Sequence, residues 1–292
     1  LPWLTGLLGL ENVPGPTVQQ ACATSARALQ MAAAEVAQGS AGCALIVCAD
    51  RMSNGPVVYY PDATAPGGRG ITESWTLDNF GHDPYAKNAM IDTAENASAR
   101  LGIGAAELNE VTLARYAQYQ AALADDRAFQ RRYMVEAPLF DSGFRRQTGT
   151  LAADEGIFPT TAEGLAKLKP VKPNGTHTFG TQTHPADGNA GMIVTTRELA
   201  RALSADSAIE VELLGFGQAR VDKGFMPLAP APAAQVALQQ AGLSIKDVDA
   251  VKSHNPFAAN DIAFARDTGF PLEKMNNYGC SLIWGHPQGP TG

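Results

Sequence analysis

The stretch Gln19-Gln-Ala-Cys22-Ala-Thr-Ser-Ala-Arg27-Ala-Leu29-Gln-Met-Ala32-Ala-Ala-Glu35-Val36-Ala-Gln-Gly39, followed by Cys43-Ala-Leu-Ile-Val-Cys48-Ala49, reads as a thiol, a helix, a turn and a strand. From Thr24 to Gln38 the apolar residues Leu29, Ala32, Ala33 and Val36 recur at helical spacing, and only Arg27 and Glu35 are charged. That composition predicts an enclosed helix. Thr24 or Ser25 is the expected cap of its first turn, which puts Cys22 just ahead of the helix, where unpaired N–H groups and the dipole favour a thiolate. A cysteine in such a place serves either as a nucleophile or as a small buried hydrophobe, and the local pattern leaves both open. The strand 43–49 is apolar without alternation, which predicts cover on both faces.

Working outward, the 292 residues suffice for two domains with their own cores, and 45% hydrophobic content fits a globular chain. The 22 basic and 29 acidic residues leave a net charge of −7, which argues against a general nucleic-acid binder. No apolar run approaches the roughly 20 residues of a membrane span, and the 1–10 stretch lacks a basic leader, so neither a membrane nor a secretory route is expected. The four cysteines, at 22, 43, 48 and 280, show no metal-ligand spacing, and a chain of this size needs no disulfides. A cytoplasmic setting is the expectation, with Cys43 and Cys48 packed in a core.

Residues 1–17 form a turn-rich lead-in with no predicted helix. Residues 51–186 are broken by many prolines and glycines and read as a long excursion covering a site. Within it, helices are predicted over Thr93–Leu101, capped by Thr93, and from Ala105 to about Ala128. A strand over Asn189–Thr196 and a helix over Glu198–Leu203 follow, then a strand over Ile209–Gly215. A third helix-to-strand step runs from Pro232–Gly242 through Asp247–Lys252 into Ser253-His254-Asn255. Alternation of this kind predicts an α/β architecture. His254 and His286 both fall where strands should end, the place where ligands gather in α/β proteins.

The run Gly285-His-Pro-Gln-Gly-Pro-Thr-Gly292, at this remove from the cysteine-bearing helix, resembles the thiolase superfamily. Asp50-Arg-Met-Ser-Asn54, Thr93-Ala-Glu-Asn96 and Asp187-Gly-Asn-Ala190 stand as further landmarks in the right order. The resemblance implies an α/β thiolase fold: two similar βαβ-type halves packed as αβαβα layers, with an inserted loop domain. It divides the chain into 1–50 with 187–207 as the N-terminal half, 51–186 as the insertion and 208–292 as the C-terminal half. Comparison with the family also makes the chain a piece lacking both ends.

What the resemblance implies for chemistry is an acyl-CoA acyltransferase that forms or cleaves a C–C bond of a 3-ketoacyl-CoA. Cys22 would be the acylated nucleophile, His286 the group that takes the thiol proton, and His254 with His286 the donors to the thioester oxyanion. Met90 and Thr183 lie near positions that line the pantetheine channel in relatives. The partners implied are acyl-CoA and CoA, with no nucleic acid and no membrane. No separate cofactor is implied, and a homodimer or homotetramer is the family habit. Two features depart from the pattern. His254-Asn-Pro-Phe257 replaces the common Asn-Glu-Ala-Phe, and no second cysteine motif follows the Gly-His-Pro run. These keep open a decarboxylating β-ketoacyl-synthase-like enzyme with a Cys-His-His set, and a non-catalytic acyl-CoA-binding subunit.

Overall fold

A computed structural model describes residues 2–74 and 77–292. Leu1 of the expected lead-in, and Trp75 and Thr76 of the expected covering segment, lie outside the described residues. In chain order the elements are α1 (Pro2–Leu7), α2 (Thr24–Ala37), β1 (Cys43–Arg51), β2 (Val57–Tyr60), β3 (Ile71–Ser74), α3 (Leu77–Gly81), α4 (Met90–Leu101) and α5 (Ala105–Ala122). There follow α6 (Ala124–Arg127), β4 (Ala137–Phe140), β5 (Gln147–Leu151), α7 (Ala162–Ala166), β6 (Asp187–Thr195), α8 (Arg197–Leu203), α9 (Pro230–Ala241), α10 (Ala258–Thr268) and α11 (Ser281–Trp284). The described strands pair as β1 with β6, β2 with β3 and β4 with β5, the last two pairs being antiparallel.

The chain divides into two compact units. The first comprises Leu1–Asp50, Gly188–Glu212 and Pro287–Gly292. It carries α1, a helix in a lead-in where none was expected, together with α2, α8 and the greater part of β1 and β6. Two expectations fail here. Along β1 exposure alternates, with Leu45 and Val47 about half exposed and Cys48 buried, and Cys43 is exposed rather than packed. A continuous apolar run signals two covered faces only where layers exist on both sides, and the described residues supply too few. Likewise only Ala32 of α2 is buried, so that helix is half-enclosed. The last residues of the chain pack on it: Ser25 donates its N–H to the Gly289 carbonyl (3.2 Å) and its hydroxyl to the Pro290 carbonyl (3.3 Å).

The second unit comprises Arg51–Asp187 and Leu213–His286 and holds most of the core. The helix expected from Ala105 forms, and Leu108, Val111 and Tyr119 of α5 pack with Ala258, Ala259 and Ile262 of α10 and Leu282 and Ile283 of α11. Burying a side chain such as Ile262 contributes about 1.5–3 kcal/mol by transfer from water. A smaller cluster joins Ala231 of α9 to Phe264, Phe270 and Met275. The helix predicted to about Ala128 ends at Ala122, because Asp125, Asp126 and Arg127 take positive φ and make α6 a left-handed turn. Helix α4 begins three residues before its expected start. Asp92, not Thr93, closes its first turn by accepting from the Ala89 N–H, while the Thr93 hydroxyl turns inward to the Met90 carbonyl.

The strands expected over 209–215 and 247–252 are absent among the described residues, apart from a single parallel bridge between Val251 and Met275. Apolar content alone does not make a strand; a paired neighbour must take its N–H and C=O groups, and among the described residues 209–215 has no strand partner. Ile209 and Val211 stand accordingly exposed.

Candidate active site

Cys22 sits in the first unit, in the middle residue of a 3₁₀ turn (Ala21–Ala23) that leads directly into α2. Ala21 is at φ +46°, a left-handed conformation that costs a non-glycine residue roughly 1–2 kcal/mol. The turn is pinned by Thr24, whose hydroxyl donates to the Ala21 carbonyl (2.7 Å) and accepts the Gln20 N–H (2.8 Å). Thr24 thus stitches the turn ahead of the helix. It does not cap α2, whose N-cap is Ala23 with no side-chain bond. The expected thiolate is corrected as well. Burial, opposed only in part by a backbone hydrogen bond, pushes the Cys22 thiol up to about 11. Desolvation of the anion outweighs the helix N-terminus, so the resting group at neutral pH is the thiol.

His254 and His286 are 32 residues apart in sequence and are brought together in the second unit. Their rings stack with centroids 4.2 Å apart and an angle of 27°. His286 is held by backbone: its N–H donates to the His184 carbonyl (2.8 Å), and residues 185 and 286 form a parallel bridge. That approach is possible because the preceding residue is Gly285, at φ +95°. A Cβ there would lie 2.6 Å from the Ala186 Cβ and 2.9 Å from the His184 ring.

His254 is held by side chains. Its Nδ1 lies 3.0 Å from the Ser281 hydroxyl, while its Nε2 is buried without a hydrogen-bond partner among the described residues. Beneath it, Asn255 donates from Nδ2 to Asp261 (2.9 Å) and to the Cys280 sulfur (3.2 Å). Asp261 in turn accepts from the Ser253 hydroxyl (3.0 Å) and from Arg115 Nε (2.7 Å). Both residues flanking His254 are therefore tied to one buried carboxylate. Cys280 is a buried packing thiol in this network, raised to about 11 chiefly by desolvation.

Of the other expected residues, Thr183 adjoins this region. It donates its N–H to the Pro256 carbonyl (2.7 Å) and its hydroxyl to the Ser281 carbonyl (2.5 Å), so its polar atoms are already engaged. Met90 opens α4, and among the described residues no hydrogen bond or ring contact joins its side chain to the histidine pair. Ser281, Arg115 and Asp261 were not singled out by sequence reasoning. The signal available for two of them was a charged residue at the spacing of a buried face, Arg115 falling midway between Val111 and Tyr119 and Asp261 three residues after Ala258.

Burial first, and the neighbouring His286 second, lower His254 to about 3 from its ordinary 6.5. Below 6.5 the unfolded chain binds a proton that the folded unit refuses, so stability is complete above that value and is lost as pH falls toward 3. At 1.36 kcal/mol per unit the loss reaches up to about 5 kcal/mol at pH 3. Urea unfolding at pH 7 and pH 4 checks this: the midpoint falls at pH 4, and His254→Asn shrinks the difference. An equal difference in the variant would show that the burden lies on other groups.

The family model described as the thiolase N-terminal domain matches residues 4–198, and that of the thiolase C-terminal domain matches residues 208–292. The chain is 32% identical to a 3-ketoacyl-CoA thiolase of Vibrio vulnificus, over 98% of its own length and 71% of the relative's. It is 30% identical to peroxisomal 3-ketoacyl-CoA thiolase B of Rattus norvegicus, over 97% of its length and 64% of the relative's, and so spans under two thirds of that protein. The crystal structure of human mitochondrial 3-ketoacyl-CoA thiolase superposes with a TM-score of 0.83 at 25% identity, covering 96% of this chain and 70% of that one. A structure of the same human enzyme in complex with CoA gives 0.84, covering 98% and 71%. Two adjoining domain models that between them account for nearly every residue, and neighbours of this closeness, leave one assignment: the chain belongs to the thiolase family and has its α/β fold.

Proposed function

We propose that the protein is a thiolase-type acyltransferase that forms or cleaves a C–C bond of a 3-ketoacyl-CoA through an acyl group carried on Cys22. The observation that carries the reading is the stacked His254–His286 pair, two neutral-capable imidazoles from distant segments, one of them with a buried ring nitrogen left unbonded. A thiol raised to about 11 is roughly one part in 10⁴ thiolate at pH 7, so it needs a base at the moment of attack. His286 is the proposed base. The Cys22 sulfur attacks the thioester carbonyl, its proton passes to His286, and the proton leaves with the departing CoA thiolate. His254 donates a hydrogen bond to the oxygen on which negative charge gathers, a contribution of about 2.7–4 kcal/mol in comparable sites. A second acyl-CoA then loses its α-proton and its α-carbon takes the acyl group; the bond to the Cys22 sulfur breaks and the proton ends on that sulfur, which restores the thiol. In reverse, CoA cleaves the 3-ketoacyl-CoA.

Support comes also from the printed names of the relatives and from the human relative solved with CoA. Pro287–Gly292, which continue the chain directly from His286, pack on the helix that follows Cys22. The reading takes acyl-CoA and CoA as the partners, with no cofactor beyond them. Met90 and Thr183 line the path of the pantetheine arm, Thr183 through its methyl group since its hydroxyl is engaged. The division into two thiolase halves, 1–50 with 187–207 and 208–292, around an insertion at 51–186 belongs to the same reading, supported by the C-terminal family model starting at residue 208. So do a cytoplasmic location, a role in fatty acid or ketone metabolism and a homodimer or homotetramer. No described helix is long and apolar enough to cross a membrane.

The test is the rate of acylation, followed by intact mass after mixing with acetyl-CoA. His286→Ala slows the appearance of the acyl adduct by at least about tenfold and up to the 10² to 10⁴ that a general base supplies. An unchanged rate removes His286 from the mechanism.

A further inference from the structure

The landmark Thr93-Ala-Glu-Asn96 lies on α4, and Glu95 within it meets a stretch of chain, 175–186, that belongs to no helix and to no ladder longer than a single bridge. The Glu95 carboxylate accepts from the Thr176 N–H with both oxygens, from the Thr176 hydroxyl and from the His177 N–H, each at 2.9 Å. Gly175 permits this approach, since a Cβ there would lie 2.5 Å from Glu95 Oε1. Three residues along α4, the buried Ser98 hydroxyl lies 3.0 Å from Nε2 of the fully buried His177. From this anchor the chain runs past both members of the histidine pair. The Thr181 carbonyl accepts the Ala258 N–H (3.0 Å), Gln182 bridges to Phe257, and the Thr183 N–H donates to the Pro256 carbonyl (2.7 Å), which holds the segment just after His254. Immediately beyond, the His184 carbonyl accepts the His286 N–H (2.8 Å) and the Ala186 N–H donates to the His286 carbonyl (3.4 Å). One strap therefore ties down both imidazole-bearing segments by backbone bonds, and Glu95 holds its upstream end.

We propose that Glu95 is a positioning residue: by gripping Thr176 and His177 it fixes the strap 176–186 and, through it, the placement of the His254 and His286 rings against each other. Three donors converge on it from a single turn, and an ionised carboxylate meets them all because it offers two oxygens and no proton of its own. An amide of the same size has one oxygen and turns an NH₂ group toward backbone N–H groups, so the anchor loses bonds as well as charge. The route to the site is short. The Thr183 N–H and the His184 carbonyl are neighbours in sequence, one bonded just after His254 and the other to His286, so a shift of the strap acts on both histidine segments at once. The inference rests on the reading of the stacked pair as the catalytic pair, but ring placement is open to a measurement that does not involve turnover.

The ring nuclei of His254 and His286, assigned by their loss in His254→Asn and His286→Ala, report the stack through the shift that each ring imposes on the other. Glu95→Gln is expected to move both sets of signals, and Thr176→Val, which removes only the hydroxyl contact, to move both by less. In acyl transfer Glu95→Gln lowers kcat by up to about a hundredfold, the cost of misplacing reacting groups by about 1 Å. Val111→Ala, a core change outside the strap, lowers the urea midpoint but leaves kcat and the ring signals in place, which separates positioning from a general loss of stability. Ring signals that stay put in Glu95→Gln, movement of one ring without the other, or equal movement in Val111→Ala overturns the inference whatever the activity. Signals that move with an unchanged kcat uphold the inference about Glu95 and overturn the histidine pair as catalytic. Should Glu95→Gln not fold, Thr176→Val decides, and unmoved rings in that variant overturn the inference.

Discussion

Mixed with acetyl-CoA, the protein gains the mass of one acetyl group on Cys22, and Cys22→Ala gains none there while its turnover falls by a factor on the order of 10⁴ or more. The competing outcome is specific. Of the three remaining cysteines, Cys48 and Cys280 are buried and Cys43 is exposed on β1. An exposed thiol with an ordinary environment reacts slowly with any thioester, so Cys43 is the site that chemistry without a designed centre would acylate. Peptide mapping of the adduct therefore decides the matter: label at Cys22 supports nucleophilic catalysis, and label confined to Cys43 overturns it. The raised thiol adds a second mark. Because Cys22 rests as a thiol, its reaction with iodoacetamide at pH 7 is slow and climbs as pH rises toward 11. Acyl transfer from bound acyl-CoA has no such need of alkali if a base stands ready. Cys22→Ser, which keeps the size and the turn, leaves a poorer nucleophile for a thioester and is equally free of label on this time scale.

The parts of the molecule that sequence made legible are those whose cause is local. Helices α4, α5, α8 and α9 were readable because each carries its own apolar period or stop signal. The Gly-His-Pro run and the landmarks near Thr93 and Asp187 marked the family without any knowledge of packing. What failed has non-local causes. The apolar stretches 209–215 and 247–252 look like strands, yet a strand is made by its neighbour, and apolar composition does not say whether one is present. The helix N-terminus after Cys22 argued for a thiolate, but its influence fades within one turn, whereas burial, which depends on the tertiary surroundings, set the thiol the other way. Ser281 was hidden inside a motif read for its glycines and histidine. Arg115 and Asp261 meet across 146 residues, Arg115 on a helix read only for its apolar positions and Asp261 on α10, a helix the sequence reading did not predict.

That last pair carries the largest expected effect on folding. Arg115 and Asp261 are 1% and 0% exposed in their side chains, with Nε and Oδ2 2.7 Å apart. The remaining guanidinium donors meet the Met275 carbonyl (2.9 Å) and the Leu272 carbonyl (3.0 Å), and Asp261 also accepts from Ser253, Asn255 and Asn276. Every charge in the network is thus neutralised or hydrogen-bonded, which makes its interior position tolerable. Arg115→Ala leaves the carboxylate enclosed without its cation, and the expected cost is about 3–5 kcal/mol in urea unfolding. Removing both charges is far milder: Arg115→Met with Asp261→Leu is expected to cost less than the sum of the single changes, since neither is then left alone. The two variants separate electrostatic support from mere volume. The consequence reaches the site, because Asp261 holds the residues on either side of His254. Arg115→Ala should therefore broaden or move the His254 ring signals even at temperatures where the unit stays folded. A cost below about 1 kcal/mol, the value of an exposed pair, would mean that water reaches these groups and that the loop bearing His254 is held by something else.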